Sequence, residues 1–292
     1  MTDVDLRKLR YFVAVAEELH FGRAAERLHI AQPVLSRQIR ALEHELGAQL
    51  FARTKRATEL TAAGRQLLED ARPLISSAEA LRRRVAQAAR GPRTFTIGFM
   101  PGITVTPAVR AFEALRPDIE VEVLRTTTFD QVQVLYDGRA DVSVVRLPIE
   151  QRGLSIRPLF EEPRLAILPA DHRLAGKPSV DIGDLADEHL MQHPDQVPEW
   201  RDIAVEPRSG RSRRFSEVSS VEEKLEHVAS GRGISILPLS VARFYQRADV
   251  SAVPVNDLAP NKISLAWLAS RRSRAIQEFA ALAGTVDWVM TR

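Results

Sequence analysis

Gln32, Pro33, Val34, Ser36, Arg37 and Arg40 crowd into one short stretch, QPVLSRQIR, and together they suit a polar, anionic partner. A Gln amide matches the paired donor and acceptor of adenine, and an Arg fork matches guanine or a phosphate. Pro33 and Val34 offer apolar contact to a thymine methyl. Arg53, Lys55 and Arg56 form a small basic cluster suited to phosphates or a minor groove. A second set of candidates lies downstream. Met100-Pro101-Gly102-Ile103-Thr104 stands between a strand pattern and a helix pattern, where backbone amides favour an anion such as a carboxylate. Thr126-Thr127-Thr128 would add hydroxyls at a neighbouring strand exit, and Arg146 could pair a carboxylate bidentately. Threonines at strand exits also satisfy loop backbone, and Arg146 equally suits an ion pair at the surface or between lobes.

These side chains act together only if defined elements hold them. Leu6, Leu9, Phe12, Val13, Ala16 and Leu19 recur at helical spacing and predict an amphipathic helix. A second short helix is expected from about Gly22 to Leu28. After the break His29-Ile30-Ala31, Pro33 suits the first turn of a third helix. Its expected buried stripe is Leu35, Ile39, Leu42 and Leu46, and Gly47 is placed to stop it. That stripe turns Pro33, Ser36, Arg37 and Arg40 outward. Phe51-Ala52-Arg53 and Glu59-Leu60 bracket Thr54-Lys55-Arg56 as a basic hairpin. Two short helices joined by a tight turn make a helix-turn-helix, whose second helix fits the major groove. A helical bundle with a solvated Arg face is the competing reading; the missing apolar partner face stands against it.

Thr61 is placed as a helix N-cap. Leu67, Ala71, Leu74, Ala78, Leu81, Val85 and Ala88 then alternate spacings of four and three. Such a heptad seam needs a second helix and so predicts a dimer. Pro73 inside it predicts a bend near the start, and Gly91-Pro92 closes the helix. From Thr94 the pattern becomes strand, helix, strand, helix, strand: Phe95, Ile97 and Phe99; a helix from Thr106 to Leu115, capped by Thr106; Ile119, Val121 and Val123; a helix from about Phe129 to Tyr136; and Val142, Val144 and Val145. This order implies a parallel sheet with ligands at the carboxyl ends of its strands. A second unit of the same kind is expected downstream, with a late strand at Ile263–Leu268 and a final helix from about Ala275 to Val289.

At 292 residues the chain favours two domains, and its net charge of +3 makes it no polycation. Cationic charge is carried almost wholly by Arg, with only five Lys, which suits phosphate and carboxylate recognition. It has no Cys, which excludes disulfides, thiolate metal sites and a cysteine nucleophile. The start, Met1-Thr2-Asp3-Val4-Asp5, is acidic where a signal peptide is basic, and no membrane-length apolar run follows, so a cytoplasmic protein without membrane contact is expected. Gly176-Lys177 lacks a phosphate loop, and Gly231-Arg232-Gly233 lacks the third glycine of a dinucleotide fingerprint. His189 and His193 lack a zinc-binding context, and no acid–base pair or nucleophile elbow is visible. No catalysis, metal or cofactor is expected.

The stretch RYFVAVAEELHFGRAAERLHIAQPVLSRQIRALEHELGAQLFARTKRATELTAAG resembles the LysR-type transcriptional regulators, a long, ungapped match. The later phrases LYDGRADVSVV, LFEEPRLAILPADHRLA and VASGRGISILP extend the resemblance over essentially the whole chain. It implies an α/β protein: a winged helix-turn-helix at 1–60, a linker and dimerisation helix at 61–92, and a two-lobed effector domain at 93–292 like a type 2 periplasmic binding protein. Lobe one would cover 93–162 and 268–292, and lobe two 163–267, with crossings near Glu161–Leu165 and Ile263–Trp267. The family's base-reading positions fall on Gln32, Pro33, Ser36 and Arg37, and its wing contact on Arg53. Ala31 departs from the usual Ser. The same alignment adds His193 and Ser219 from the second lobe. The region Gln192–Arg214 matches least; effector specificity or a disordered loop would reside there. Implied partners are double-stranded promoter DNA, a small-molecule effector such as a carboxylate, further copies of the chain as dimer or tetramer, and RNA polymerase. A transport receptor or an enzyme on the same fold is opposed by the fused DNA head and by the lack of a reactive group. An architectural DNA binder would be told apart by its indifference to ligands.

Overall fold

In a computed structural model, which describes residues 5–53, 58–89, 93–205 and 220–288, Asp5 starts helix α1 (Leu6–Glu18) by accepting the Arg7 amide at 2.7 Å. Leu19 ends α1 in the left-handed region and is exposed, so it leaves the predicted stripe. His20 caps α2 (Phe21–Arg27) by accepting the Gly22 and Arg23 amides. A turn with His29 at φ 54° leads into α3 (Gln32–Leu46), which Gly47 closes at φ 63°. Leu35, Ile39 and Leu42 are buried there, while Leu46, in the last turn, is 40% exposed instead of completing the stripe. Strands β1 (Phe51–Arg53) and β2 (Thr58–Leu60) pair antiparallel, Phe51 opposite Leu60 and Arg53 opposite Thr58. Glu43 ties this hairpin to α3 by accepting the Leu50 and Phe51 amides at 3.0 and 3.3 Å. Phe12, Val15, Ala24, Leu35, Ile39 and Phe51 belong to one buried cluster. Each large apolar side chain so buried contributes about 1.5–3 kcal/mol. Helices this short need such packing, because isolated short helices are marginal in water.

Thr61 caps α4 (Ala62–Ala88), its hydroxyl accepting the Gly64 amide at 2.9 Å. The helix runs on through Pro73. One face of it packs on the chain's own core and another is left exposed. Leu67, Ala71 and Ile75 pack into the α1–α3 core, whereas Leu74, Leu81 and Val85 stay 53%, 56% and 62% exposed. The expected partner-facing seam therefore begins at Leu74, because the first turns are taken up by the chain's own core.

The chain divides into two compact units, Met1–Gly91 with Tyr136–Arg139, and Pro92–Leu135 with Ala140–Arg292. Most of the second unit is built on two sheets. Lobe one carries β3 (Arg93–Phe99), α5 (Thr106–Leu115), β4 (Ile119–Arg125), α6 (Gln133–Tyr136), β5 (Val142–Arg146) and β6 (Leu154–Glu162). Lobe two carries β7 (Arg164–Pro169), α7 (Pro198–Ile203), α8 (Val221–Ala229), β8 (Ser235–Pro238), α9 (Leu239–Phe244) and β9 (Val250–Pro254). The chain then returns to lobe one as β10 (Asn261–Leu268) and α10 (Arg274–Ala283). The five-stranded sheet has the order β4-β3-β5-β10-β6. Strand β3 runs parallel to β4 and β5, as the alternating pattern predicts, while β10 runs antiparallel to β5 and β6. Phe95, Phe112 and Phe279 meet at its core with centroids 4.8–5.3 Å apart.

Several expectations are corrected here. The first crossing is at Pro163, between β6 and β7, as expected, but the return lies at residues 255–260. Ile263–Trp267 is already inside the lobe-one sheet, where Leu265 and Ala266 are fully buried. The three-stranded sheet of lobe two, β8-β7-β9, is antiparallel throughout, so its strands do not form a second parallel unit. Val105 occupies the cap position of α5, and Thr106 lies one residue inside. The helix expected from Phe129 is regular only at Gln133–Tyr136, after a turn held by Asp130. Helix α10 ends at Ala283 because Gly284 and the β-branched Thr285 and Val286 that follow are poor helix formers.

Candidate nucleic-acid interface and effector cleft

Helix α3 begins without a side-chain cap, as the Ala at position 31 dictates, and carries Pro33 in its first turn. Gln32, Pro33, Arg37 and Arg40 are exposed and Val34 and Ser36 half-buried. Gln32, Pro33, Ser36, Arg37 and Arg40 line one shallow surface groove, so the structure brings these predicted residues together. Most other cations of the head are paired with acids, and Arg65 donates to the Leu60 carbonyl at 2.8 Å. Arg27 pairs with Glu17 at 2.8 Å, Arg72 with Glu17 at 3.1 Å, Arg23 with Glu18 at 3.3 Å and Arg10 with Glu79 at 3.6 Å. Lys8 pairs with Glu45. The hydrogen bond and charge of Glu17 hold Arg27 above its ordinary pKa. Arg37 and Arg40 have no acidic partner among the described residues. An exposed cation left without an acid keeps its full attraction for a phosphate or a base edge. Arg53 ends β1, while Lys55, Arg56 and the rest of the hairpin tip lie outside the described residues.

The second candidate site forms where lobe one faces lobe two. Strand order β4-β3-β5 makes the chain diverge after β3 and β5, the position where open α/β sheets take ligands. Arg146, the last residue of β5, extends a buried guanidinium there. It pairs with Glu162 at 3.4 Å and donates to the Pro101 carbonyl at 2.9 Å and the Ser240 hydroxyl at 3.0 Å. Burial lowers the Arg146 pKa, and the Glu162 charge opposes that shift. Glu162 also accepts the Ser240 amide at 2.7 Å and its hydroxyl at 3.0 Å. Gln131 brackets the Arg146 backbone, accepting its amide at 2.9 Å and donating to its carbonyl at 3.3 Å. Gly102, at φ 82°, lets the loop after β3 lie against α9; a Cβ there would stand 2.7 Å from the Val241 backbone.

Pro101, Gly102 and Arg146 thus meet at one junction, with Glu162, Ser240 and Val241, which sequence reading missed. The other candidates separate from them by role. Met100 and Ile103 are buried in the lobe-one core, and Thr104 is half-buried beside them. Thr126 is fully buried; its amide donates to the Phe99 carbonyl at 2.8 Å, and its hydroxyl has no partner among the described residues. The Thr127 amide and hydroxyl are both held by Asp130, at 2.6 and 2.8 Å, which is the loop-backbone reading of that residue. Thr128 is exposed. His193 is exposed and caps the short turn Pro194–Gln196, accepting the Asp195 amide at 3.3 Å. Ser219 lies outside the described residues. Of the poorly matching stretch, residues 192–205 are described. Gln192 is a buried residue exchanging two hydrogen bonds with Ile236, and Trp200 plugs the core. Among the described residues no cluster of metal-ligating side chains occurs, and no helix is long and apolar enough to cross a membrane.

Residues 6–65 match the family model of the bacterial regulatory helix-turn-helix protein, lysR family, and residues 88–287 that of the LysR substrate binding domain. The HTH-type transcriptional regulator YnfL of Escherichia coli (strain K12) is 36% identical over 280 residues, covering 91% of this chain and 92% of that protein. The HTH-type transcriptional regulator CatR of Pseudomonas putida is 36% identical over 262 residues, covering 87% and 89%. The solved structure of full-length CbnR complexed with its target DNA is 27% identical and covers 96% of this chain and 99% of its own, with a TM-score of 0.57.

Proposed function

The chain belongs to the LysR family of DNA-binding transcriptional regulators, and on that premise we propose that it grips promoter DNA through α3 as a dimer or tetramer and changes that grip when a small molecule enters the cleft between its lobes. Its work is regulation rather than catalysis, as in its relatives. The observation that carries the proposal is the α3 face, whose Arg37 and Arg40 share one groove with Gln32, Pro33 and Ser36 and lack acidic partners among the described residues, while Lys8, Arg10, Arg23, Arg27 and Arg72 are paired. Gln32, Pro33, Val34, Ser36, Arg37 and Arg40 are the base-reading set, and Arg53, Lys55 and Arg56 the wing that holds phosphates. The exposed row Leu74, Leu81 and Val85 on α4 supports pairing with a second copy. Two such heads meet half-sites about 34 Å apart or a multiple of that, and a second dimer adds avidity.

The effector is a small carboxylate. Arg146, Pro101, Gly102 and the buried Thr126 hydroxyl support the junction of the lobes as its place, with Met100, Ile103 and Thr104 shaping the loop after β3; Thr128, His193 and Ser219 complete the proposed effector set. A carboxylate reaching Arg146 must share that guanidinium with Glu162. Binding shifts the protein only in so far as the effector prefers one lobe arrangement over another. The altered DNA path then changes contact with RNA polymerase, in the cytoplasm. Footprinting of the full-length protein on its own promoter, with and without a panel of carboxylates, tests this. Two protected half-sites whose pattern changes with one acid are expected. No protection at low ionic strength would overturn the DNA reading, and protection indifferent to every acid would overturn the effector reading.

A further inference from the structure

The sheet of lobe two is packed differently on its two faces. Ala166 and Leu168 of β7 face a closed core plugged by the fully buried Trp200. Leu165 and Ile167 face the other way, toward α8 and α9, with Leu225, Leu237 and Val241. Opposite Ile167 on β9 stands only Ala252, so this side is not filled. It retains a half-open pocket of about 320 Å³, lined by these apolar side chains with Arg243, Tyr245, Gln246 and Arg247. That volume is at the lower end of what small-molecule sites occupy.

The mouth carries charge. Arg247 there is neutralised: it is bound to Asp249 at 2.9 and 2.6 Å and to Glu226 at 2.5 Å. Arg243, also at the mouth, is exposed and has no acidic partner among the described residues. Tyr245 completes the wall and hydrogen-bonds Glu222, which faces Arg125 at the end of β4 at 3.7 Å. An apolar chamber with one uncompensated guanidinium at its entrance suits an anion with a hydrocarbon body.

We propose that this cavity is a second small-molecule site, within lobe two and separate from the junction around Arg146, that takes an amphiphilic monocarboxylate with its tail against Ile167 and Leu225 and its head on Arg243. The proposal stands whether or not the cleft takes an effector. Calorimetric titration of the full-length protein with octanoate, octan-1-ol and acetate tests it. Octanoate is expected to bind saturably at one site and acetate not at all. Arg243→Gln, at an exposed position, should weaken octanoate at least tenfold and leave octanol unchanged. Ala252→Trp, also exposed, should fill the mouth and abolish both while the ligand-free melting temperature holds. Absence of octanoate binding would overturn the proposal. So would binding untouched by both substitutions, which would place the acid in the cleft. A change of oligomeric state in Ala252→Trp without any ligand binding would make the cavity an interface between copies, and would overturn it too.

Discussion

Arg37 and Arg40 on α3 stand exposed without acidic partners among the described residues, whereas Arg146 in the effector domain is buried against Glu162 and directs its remaining donors to Pro101 and Ser240. The same residue type thus serves two ends. On α3 the charge remains available to an external anion, and the exposed surface supplies water to screen it in the meantime. At the lobe junction the charge holds the protein to itself, because a buried guanidinium needs a counter-charge and hydrogen bonds. A ligand reaches the first by simple addition and the second only by competition.

The largest effect is expected where the buried pair is broken. Glu162→Gln leaves Arg146 without its counter-charge and should destabilise the effector domain by about 3–5 kcal/mol in urea unfolding, with the head's own transition unmoved. A loss below about 1 kcal/mol, the value of a surface pair, would erase the contrast. Gly102→Ala comes next. It meets the Val241 backbone and a left-handed φ at once, and should cost about 1–3 kcal/mol in the same measurement. Unchanged stability would mean that the loop moves freely away from α9.

The smallest effect is expected at an arginine paired at the surface. A hydrogen bond from Arg116 holds the Asp118 carboxylate down at about 2. Its folded pKa is depressed, so its contribution is present above the ordinary carboxylate value of about 3.9 and is lost as pH falls toward about 2. Asp118→Asn should therefore differ from the parent in urea midpoint at pH 6 by a small margin that closes as pH drops below about 4. A margin that widens in acid would reverse the sign.

The head was the more legible region because its signals are local. Stripes such as Leu35, Ile39 and Leu42 fix which face of α3 looks inward, and so which side chains look out. The junction is non-local: Arg146, Glu162 and Ser240 end or begin elements far apart in the chain, and no spacing rule joins them. A glutamate closing a strand, as Glu162 does, has no pattern to mark it as buried. Strand direction was hidden for the same reason. Alternation identified β10 as a strand but could not say that it returns to the first sheet antiparallel. On α4 the heptad spacing was real, yet spacing alone does not reveal that Leu67 and Ala71 pack on α1 rather than on a partner.

The most direct test is the salt dependence of binding, by fluorescence anisotropy, for the parent and Arg37→Ala/Arg40→Ala on the promoter site and on a scrambled duplex. The double substitution is expected to cost about 1–3 kcal/mol or more on the promoter, to lower the salt slope by about one for each phosphate no longer neutralised, and to shrink the preference over the scrambled duplex. Equal affinity, slope and preference in the two proteins would contradict the DNA-gripping role of α3.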